Sequence, residues 1–544
     1  MANLFSKGGA ALRLRSAVKG LHPLARRAFQ LLDKDPNVIG FDPDYYLRHN
    51  PDVAQAQVHP LLHAIKHGAP EGREVAPGFS AHWYSEMNEI EGSDANDAIL
   101  HLIHARSGSK KQKLAFFGYA WNGEWRLDAY MREVVSSISS LGIDVDVYIG
   151  NQFTREGGPK GFREDLTTKD LKAFVKSQDY DFAFSFNNAL ITPDTVDGLD
   201  CVIVSIVVDS RHHLFDHMDD GGAEVFRLPI HVAPIYTSLV SDLEFSLGHR
   251  TLATFLPAAT QITRREPSAG EDSITISWIA SLVGDHNVDS FMARIPDLPG
   301  GLELVKRCLS DIERTGKIGD DCITQEAAHI LCSWASWDFQ YLEMQLQNIV
   351  TNGTRLATVD ILAPLGLRVF GNKRWRTAST FLPAVAYSYR SGSGLQRHAE
   401  LCAIYDQSKI SINFPQSQAA TGMQYRILDI LASKSLLITK DVPDSDMEKL
   451  FGKTSPIVTF TDLADLRTKC NYYLNNEEER LDCVKKCNAL VATGFSFRER
   501  TLQYLDLSNK KASQAINPDD GRGSIILIGA NRVREWAARH WRTA

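Results

Sequence analysis

The sequence predicts an α/β protein with two doubly wound parallel sheets, preceded by a small α-helical region. From Lys113 onward, short apolar and β-branched runs alternate with longer segments of helical periodicity, which is the pattern of a parallel sheet covered by helices. A second series of this kind begins at Ile274, after a polar stretch with the composition of a linker. Before Lys113 the periodicity is helical only, and one segment occurs twice.

These changes divide the chain into six segments. Because 544 residues exceed what one hydrophobic core supports, more than one domain is expected. The predicted boundaries are a basic amphipathic segment at 1–40, a duplicated helical module at 41–112, a first Rossmann-like domain at 113–263, a linker at 264–272, a second Rossmann-like domain at 273–506 and a carboxyl-terminal tail at 507–544.

The bulk composition is that of an ordinary globular protein. The chain is 44% apolar and 23% charged, and its net charge of −7 gives no general reason to expect nucleic-acid binding. No apolar run approaches the roughly 20 residues of a membrane-spanning helix, and Met1–Gly20 lacks the apolar core of a signal peptide. Eight scattered cysteines without a CxxC pair favour reduced thiols, so a cytoplasmic location without a metal centre is predicted.

The segment 1–40 carries seven lysines and arginines against two aspartates. Its apolar residues from Leu14 to Leu32 approximate one helical stripe, which Pro23 should divide into two helices. A basic amphipathic segment is able to lie on an anionic membrane surface. The alternative is a solvated helix that packs on its own domain, and the sequence leaves both interpretations open.

The module 41–112 is an internal duplication. Phe41–Gly68 recurs 38 residues later as Phe79–Gly108, which predicts two related helical hairpins that stack. The matching pairs are Phe41 and Phe79, Tyr46 and Tyr84, Asn50 and Asn88, Leu62 and Leu100, His63 and His101, and Ile65 and Ile103. Three histidines of the first copy recur every four residues, but Pro60 marks a helix start after the first of them, so structural histidines are predicted rather than metal ligands.

The stretch 408–441 is the most informative part of the second α/β series. It reads as a strand, a glycine-bearing loop, a helix and a further strand. A loop that leads from a parallel strand into a helix presents free backbone N–H groups, which suits a phosphate. Gly422 lies in this loop, and Arg426 and Asp429 lie one turn apart on the helix. We expect the arginine to bind a diphosphate and the carboxylate to accept hydrogen bonds from ribose hydroxyls.

This stretch, with its continuation to Arg500, resembles the carboxyl-terminal domain of CgeB-like glycosyltransferases. The resemblance rests on Arg426, on Leu428-Asp429 where the family has Phe-Glu, and on the small-residue turn Ala432-Ser433-Lys434 before a hydrophobic strand. It implies a GT-B architecture, in which two Rossmann-like domains face a cleft. It also implies transfer of a sugar from a nucleotide-sugar donor to a glycan, lipid-linked or protein acceptor, in the synthesis of cell-surface polysaccharide or glycoconjugate.

The resemblance implies a donor-nucleotide site in the domain 273–506. Small residues at 280–284 would let the backbone approach a phosphate. Such enzymes stabilise the leaving diphosphate with basic side chains and a helix dipole, so no metal or other cofactor is expected besides the nucleotide-sugar co-substrate. Asp444-Ser445-Asp446 matches a DxD metal motif literally, but its position predicts a turn. The implied donor residues are Gly422, Tyr425, Arg426, Asp429, Lys373 and Arg374.

In the domain 113–263, polar clusters follow the predicted strands, where ligands of parallel sheets gather. A mixture of aromatic and polar side chains suits a sugar ring, and the predicted acceptor or sugar residues are Tyr119, Trp121, Asn122 and Asn187. The candidate catalytic residues are Asp209 and His212, after the most buried strand, with Glu124 as the rival base. The alternative interpretation of Asp209 is a helix cap beside surface histidines.

Other functions stay open at this point. Folds of this type also host nucleotide-sugar epimerases or hydrolases, and a non-catalytic scaffold could bind partners through the duplicated module. That module resembles a helical module at the front of bacterial surface-polysaccharide glycosyltransferases.

The expected partners are the nucleotide-sugar and its acceptor, with an anionic membrane surface or a protein as candidate partners of residues 1–112 and no nucleic acid. The expected location is cytoplasmic, with peripheral association at the inner face of the membrane under the membrane interpretation. The tail is expected to pack on the first domain, a membrane or a partner.

Overall fold

The computed structural model of the protein describes the following residues: 8–34, 40–90, 95–106, 111–119, 127–150, 168–208, 228–241, 252–261, 273–283, 301–315, 339–391, 398–415, 421–508 and 522–541. The chain divides into two compact units. The first consists of residues 1–206, 228–231 and 501–544, and the second of residues 207–227 and 232–500.

The amino-terminal part of the chain is helical, and parallel strands follow it. The helices of the first half are α1 (Gly8–Lys19), α2 (Pro23–Lys34), α3 (Pro43–His49), α4 (Pro51–Gln55), α5 (Pro60–His63, continued by a π-helical turn Ala64–Gly68), α6 (Ala81–Met87), α7 (Ala95–Arg106), α8 (Ala129–Ser140), α9 (Thr168–Ser177) and α10 (Pro193–Asp197). The strands are β1 (Lys113–Tyr119), β2 (Asp144–Gly150), β3 (Phe182–Phe186), β4 (Ile203–Val207), β5 (Ile230–Pro234) and β6 (Leu252–Ala253).

The second half repeats the alternation of strands and helices. Its strands are β7 (Ile274–Ile279), β8 (Leu367–Gly371), β9 (Tyr389–Ser391), β10 (Ser408–Asn413), β11 (Leu436–Lys440), β12 (Val458–Phe460) and β13 (Ile525–Leu527). Its helices are α11 (Gly301–Thr315), α12 (Phe339–Leu362, followed by a 3-10 turn Ala363–Leu365), α13 (Arg374–Ala378), α14 (Pro383–Ser388), α15 (His398–Asp406), α16 (Tyr425–Leu431), α17 (Asp446–Phe451), α18 (Leu463–Asn475), α19 (Glu477–Val491), α20 (Phe497–Leu507) and α21 (Ala530–Trp541).

Two sheets organise these elements, and the predicted α/β class with a helical amino-terminal region is confirmed. The first sheet has seven strands in the order β13-β2-β1-β3-β4-β5-β6, and the second has six in the order β12-β11-β10-β7-β8-β9. Every neighbouring pair of the second sheet is parallel. Parallel strands are covered on both faces, which is why their residues form near-continuous apolar runs such as Ile203–Val207.

The first helices divide at Pro23, as predicted, and α2 buries its apolar face within its own unit. Ala25, Ala28, Phe29 and Leu32 are all at most 7% exposed. Helix α2 packs on α5 in the first repeat and on α7 in the second. The stripe that could have met a membrane is therefore largely packed against protein along α2.

The two repeats share side-chain contacts as well as sequence. Tyr46 and His63 form a hydrogen bond of 3.0 Å between Oη and Nδ1, and the matching pair Tyr84 and His101 forms one of 2.9 Å. The matching amides of Asn50 and Asn88 each donate to the carbonyl of the preceding tyrosine, at 2.8 Å and 2.9 Å. The matching residues therefore form the same hydrogen bonds within each hairpin. His63 has a structural partner, as predicted.

The tail extends the first sheet. Strand β13 pairs in parallel with β2, and the side-chain amide of Asn88 both donates to the carbonyl and accepts from the N–H of Ile525, each at 2.9 Å. Helix α21 then packs on α9, with the rings of Phe174 and Trp536 5.5 Å apart. Of the expected positions of the tail, packing on the first domain is the one that the structure contains.

A buried charge cluster ties the second repeat to the first sheet. The Asp146 carboxylate, 1% exposed, accepts from Arg106 at 2.6 Å and from Tyr180 at 2.8 Å, and lies 3.0 Å from Lys113 Nζ. Burial by itself would raise the pKa of Asp146. The charges of Lys113 and Arg106 lower this pKa by more, so that it lies well below its ordinary value. The carboxylate is therefore ionised at neutral pH and acts as the common partner of these cations.

Candidate functional site

The chain leaves strand β7 in a segment whose backbone carbonyl groups are occupied one after another. Five successive carbonyl oxygens, from Ile279 to Val283, accept hydrogen bonds from five different side chains. The donors are Arg426 to Ile279 at 2.9 Å, Trp375 to Ala280 at 2.7 Å, Arg355 to Ser281, Asn372 to Leu282 at 2.8 Å and Asn352 to Val283 at 2.6 Å. A carbonyl shielded from water needs a donor, so the four buried or half-buried contacts hold the loop, while the contact at Ser281 is exposed. Together these contacts position two guanidinium groups.

Gly371 explains why this loop lies so close to strand β8. A Cβ atom at this position would lie 2.0 Å from the oxygen of Ala280 and 2.6 Å from Nε1 of Trp375. Only glycine lets the Trp375 ring, which is fully buried, reach that carbonyl. Gly371 and Trp375 therefore support the loop after β7.

Arg355 and Arg426 repel each other at the end of β7. Burial and the charge of Arg426 lower the pKa of Arg355 to about 10. Burial also lowers the pKa of Arg426, while Tyr425, Tyr405 and Tyr236 raise it, with a net rise. Within this pair, the charge of Arg426 disfavours the charged form of Arg355. Within the described part of the chain, neither guanidinium has a carboxylate partner.

Unsatisfied polar atoms lie in the same strand-end loops. Gln424, which precedes helix α16, is 3% exposed, and neither its Oε1 nor its Nε2 has a hydrogen-bond partner among the described residues. Within the same ranges Oδ1 of Asn372 is also buried without a partner, although Nδ2 of this amide donates to Leu282. A buried polar atom without a partner costs about 1–3 kcal/mol, so these amides point to a ligand that completes them.

Asp429 lies on α16, three residues after Arg426, and is 2% exposed. Its Oδ1 accepts from Thr260 Oγ1 at 2.6 Å and lies 2.7 Å from Nε2 of His398, while its Oδ2 has no partner in the part of the chain that the structure describes. Burial lowers the pKa of His398, but the Asp429 carboxylate outweighs it and raises this pKa to about 11. The ribose contact of Asp429 stays a prediction, with Oδ2 as the oxygen that is left for it.

His398, Cys402 and Asp429 each offer one atom that could bind a metal, all within 4.8 Å of one another. Two ligands at about 2.0 Å from one tetrahedral ion would lie roughly 3.3 Å apart. The 2.7 Å between Nε2 of His398 and Oδ1 of Asp429 is the length of a hydrogen bond instead. We therefore describe the cluster as hydrogen-bonded.

The loop before α16 is held by close packing. A Cβ atom on Gly422 would lie 2.3 Å from Cδ1 of Tyr236, so glycine is required for the contact between loop and ring. Asp446, which belongs to the literal DxD match, is fully buried and accepts from the N–H and the hydroxyl of Thr237. Ser445 caps helix α17, in agreement with the turn predicted there.

The structure brings some predicted residues together and leaves others elsewhere. Tyr119 and Asn187 meet at the ends of β1 and β3, where the Asn187 amide donates to the Tyr119 hydroxyl at 3.0 Å. Lys373 and Arg374 are exposed at the start of α13. Trp121, Asn122, Glu124, Asp209 and His212 lie outside the described residues.

Three residues at this site escaped the sequence analysis. Arg355 lies within the 24-residue helix α12, and His398 and Thr260 lie outside every motif considered. A solitary arginine in a long helix gives no local signal of its position. Its role depends on the packing of α12 against the end of β7, which no spacing rule reports.

Part of the chain matches a known family. Residues 355–506 match the family model described as "Glycosyl transferase-like". No curated protein sequence matches the chain significantly. In the part that the structure describes, no helix is both long and apolar enough to cross a membrane.

The solved structures that resemble this chain have low sequence identity to it and low TM-scores. The Alr3699/HepE protein of Anabaena in complex with UDP and glucose is 9% identical, with a TM-score of 0.44 over 73% of this chain and 98% of its own. Sucrose-phosphate synthase from Thermosynechococcus elongatus is 9% identical, with a TM-score of 0.41 over 73% and 98%. WaaG, a glycosyltransferase of lipopolysaccharide biosynthesis, is 12% identical, with a TM-score of 0.39 over 73% and 100%. At such scores these likenesses carry no assignment of site residues. The family match over residues 355–506 indicates an enzyme of the glycosyltransferase class.

Proposed function

We propose that the protein transfers a sugar from a nucleoside diphosphate donor, and that the donor diphosphate binds at the carboxyl end of β7. The observation that carries this is the pair Arg355 and Arg426, two neighbouring cations without a carboxylate partner among the described residues. Each guanidinium has five N–H donors and gives one of them to the loop after β7, and Arg426 also has a side-chain hydrogen bond with Tyr425. The donors that are left would bind phosphate oxygens.

The chemistry of the site matches the charge that develops during transfer. When the bond between the sugar and the diphosphate breaks, negative charge grows on the leaving phosphate. Two fixed cations stabilise that charge without reorganising, which is the main way in which such sites accelerate a reaction. The buried amides of Gln424 and Asn372 supply neutral hydrogen-bonding groups for the rest of the donor.

We also propose a specificity, an acceptor class, a first nucleotide to test and a docking region. CgeB-like specificity, and a glycan, lipid-linked or protein acceptor in surface polysaccharide or glycoconjugate synthesis, rest on the resemblance of the sequence. Anabaena HepE and the pneumococcal O-GlcNAc transferase GtfA are each described in complex with UDP, which makes UDP the first nucleotide to test. A docking role of residues 1–112, at a membrane or a protein, is proposed from the basic residues of the segment 1–40 and from the resemblance of the duplicated module to a helical module of surface-polysaccharide glycosyltransferases.

The test begins with binding. Thermal unfolding is measured with UDP, GDP, ADP and CDP, and a nucleotide at 100 times its dissociation constant should add about 2.7 kcal/mol to the free energy of unfolding. Arg426→Gln should remove this stabilisation. The matched control is Arg467→Gln, which changes an exposed arginine on α18. If no nucleotide stabilises the protein, the donor site is wrong.

Transfer is tested next with the nucleotide that binds. Its radiolabelled sugar is incubated with the protein and cell-envelope extract, and label in polymer, lipid or protein identifies the acceptor class. Release of free sugar alone would indicate a hydrolase, and conversion of the donor to an isomer would indicate an epimerase. Either result would refute transfer while leaving the donor site in place.

A further inference from the structure

Three reactive side chains lie in contact on helices α15 and α16, and the proposed transfer does not use them as a group. Cys402 and His398 lie one turn apart on α15, with Sγ 3.6 Å from Nδ1. The other ring nitrogen of His398 lies 2.7 Å from Oδ1 of Asp429, which Thr260 also contacts. Sγ also lies 3.9 Å from Nε2, so the sulfur lies beside the imidazole and close to both of its nitrogens, and the imidazole contacts both the thiol and the carboxylate. A cationic imidazole next to a thiol favours the thiolate.

The surroundings favour the charged forms of the thiol, the imidazole and the carboxylate. His398 and Asp429 are 1% and 2% exposed, so their interaction is little screened by water. The Phe497 ring packs edge-on against the imidazole, with centroids 5.5 Å apart. Among the described residues, Arg426 and Tyr425 on α16 and Tyr405 on α15 are further charged or titratable groups nearby. The imidazole is therefore held as a cation, which favours the thiolate of Cys402.

Cys470, Cys483 and Cys487 have no imidazole partner among the described residues and serve as a contrast. Burial alone raises the pKa of Cys470 to about 12, and burial with Cys483 raises that of Cys487 to about 12. The pKa of Cys483 is raised mainly by burial. Cys402, by comparison, is only partly buried, so a small reagent has access to it.

We propose that Cys402 is a nucleophilic thiolate and a site of covalent modification by small electrophiles, hydrogen peroxide among them. In the peroxide reaction, the thiolate sulfur attacks one oxygen and forms an S–O bond as the O–O bond breaks. The sulfur is oxidised to a sulfenic acid, and the departing hydroxide takes up a proton to give water. An alkylating reagent such as iodoacetamide would form an S–C bond in the same way, with iodide as the leaving group.

The experiment uses the full chain and measures each cysteine separately. A short pulse of iodoacetamide at pH 6.5 and at pH 9 is followed by peptide mass spectrometry. At pH 6.5 Cys402 should be alkylated at least about tenfold faster than Cys201 and Cys483, which are also partly buried. At pH 9 this lead should shrink, because ordinary thiols ionise near 8.5.

Two variants test the role of the partner groups. In His398→Gln and in Asp429→Asn, the lead of Cys402 at pH 6.5 should disappear. The buried Cys470 and Cys487 report on folding in the same spectra, because they stay unlabelled while the unit is folded. If one variant unfolds, the other still tests the proposal.

Peroxide is tested in parallel. Wild-type protein is treated with hydrogen peroxide and then with dimedone, which marks sulfenic acids, and the adduct should form at Cys402. The proposal is overturned if Cys402 reacts no faster than Cys201 and Cys483 at pH 6.5, if its rate is unchanged in folded His398→Gln, or if peroxide yields no adduct there.

Discussion

Replacing Arg355 by glutamine should raise the stability of the free protein and lower its affinity for a nucleoside diphosphate. Arg355 and Arg426 repel each other in the absence of a ligand, so neutralising one of them relieves the other. The amide of glutamine still offers a donor for the carbonyl of Ser281. The two effects have opposite signs, which a merely structural arginine would not produce.

The size of the binding effect follows from the contacts that are lost. A hydrogen bond to a charged group contributes about 1.5–3 kcal/mol, which corresponds to a loss of roughly ten- to hundredfold in affinity. At a nucleotide concentration of 100 times the wild-type dissociation constant, the stabilisation should fall from about 2.7 kcal/mol to about 0.4 kcal/mol for a hundredfold loss. Titration calorimetry gives the dissociation constant directly.

Salt supplies a second readout, because removing one cation should weaken the dependence of nucleotide affinity on ionic strength. Arg376→Gln, an exposed arginine on α13, is the control for a general loss of positive charge. The reasoning would be refuted if Arg355→Gln lowered the stability of the free protein and left the dissociation constant of the nucleotide unchanged.

Three further predictions concern other parts of the chain. Gly371→Ala should destabilise the second unit, because the added methyl group would lie 2.0 Å from the oxygen of Ala280, and urea unfolding should show a lower midpoint. Asp146→Asn should cost about 3–5 kcal/mol, because it leaves buried cations unpaired. Since the pKa of Asp146 is depressed, its contribution is present above the unfolded value near 3.9 and is lost as pH falls below it; an unchanged acid midpoint in the variant would contradict this. Asp209→Ala should leave nucleotide binding intact and lower turnover, and full activity would exclude Asp209 as the base.

Much of the fold could be predicted because its signals are local. Pro23 divides the first helices where expected, and the β-branched runs form parallel strands. The duplication was visible because matching residues recur at a constant offset, and the contacts of Tyr46 and Tyr84 show what that repetition maintains. In each case a residue and its neighbours along the chain carry enough information to define the element.

The candidate site was predictable only in part. Arg426 was found because it belongs to one strand-loop-helix unit, whereas the role of Gly371 depends on its packing against the loop after β7. Asp429 was expected to meet a ribose, whereas the structure adds His398 and Thr260 as its partners, from positions far along the chain. Such contacts depend on the order of strands in the second sheet.

The sequence by itself determined the alternation of strands and helices, the duplicated module and the glycine-bearing turn before Arg426. These follow from backbone preferences and from side-chain periodicity, which act over a few residues. Only the tertiary structure decided that β13 joins the first sheet, that Arg355 lies beside Arg426, and that Cys402, His398 and Asp429 form one chain of contacts. Those outcomes depend on packing and charge between distant segments, and no local pattern encodes them.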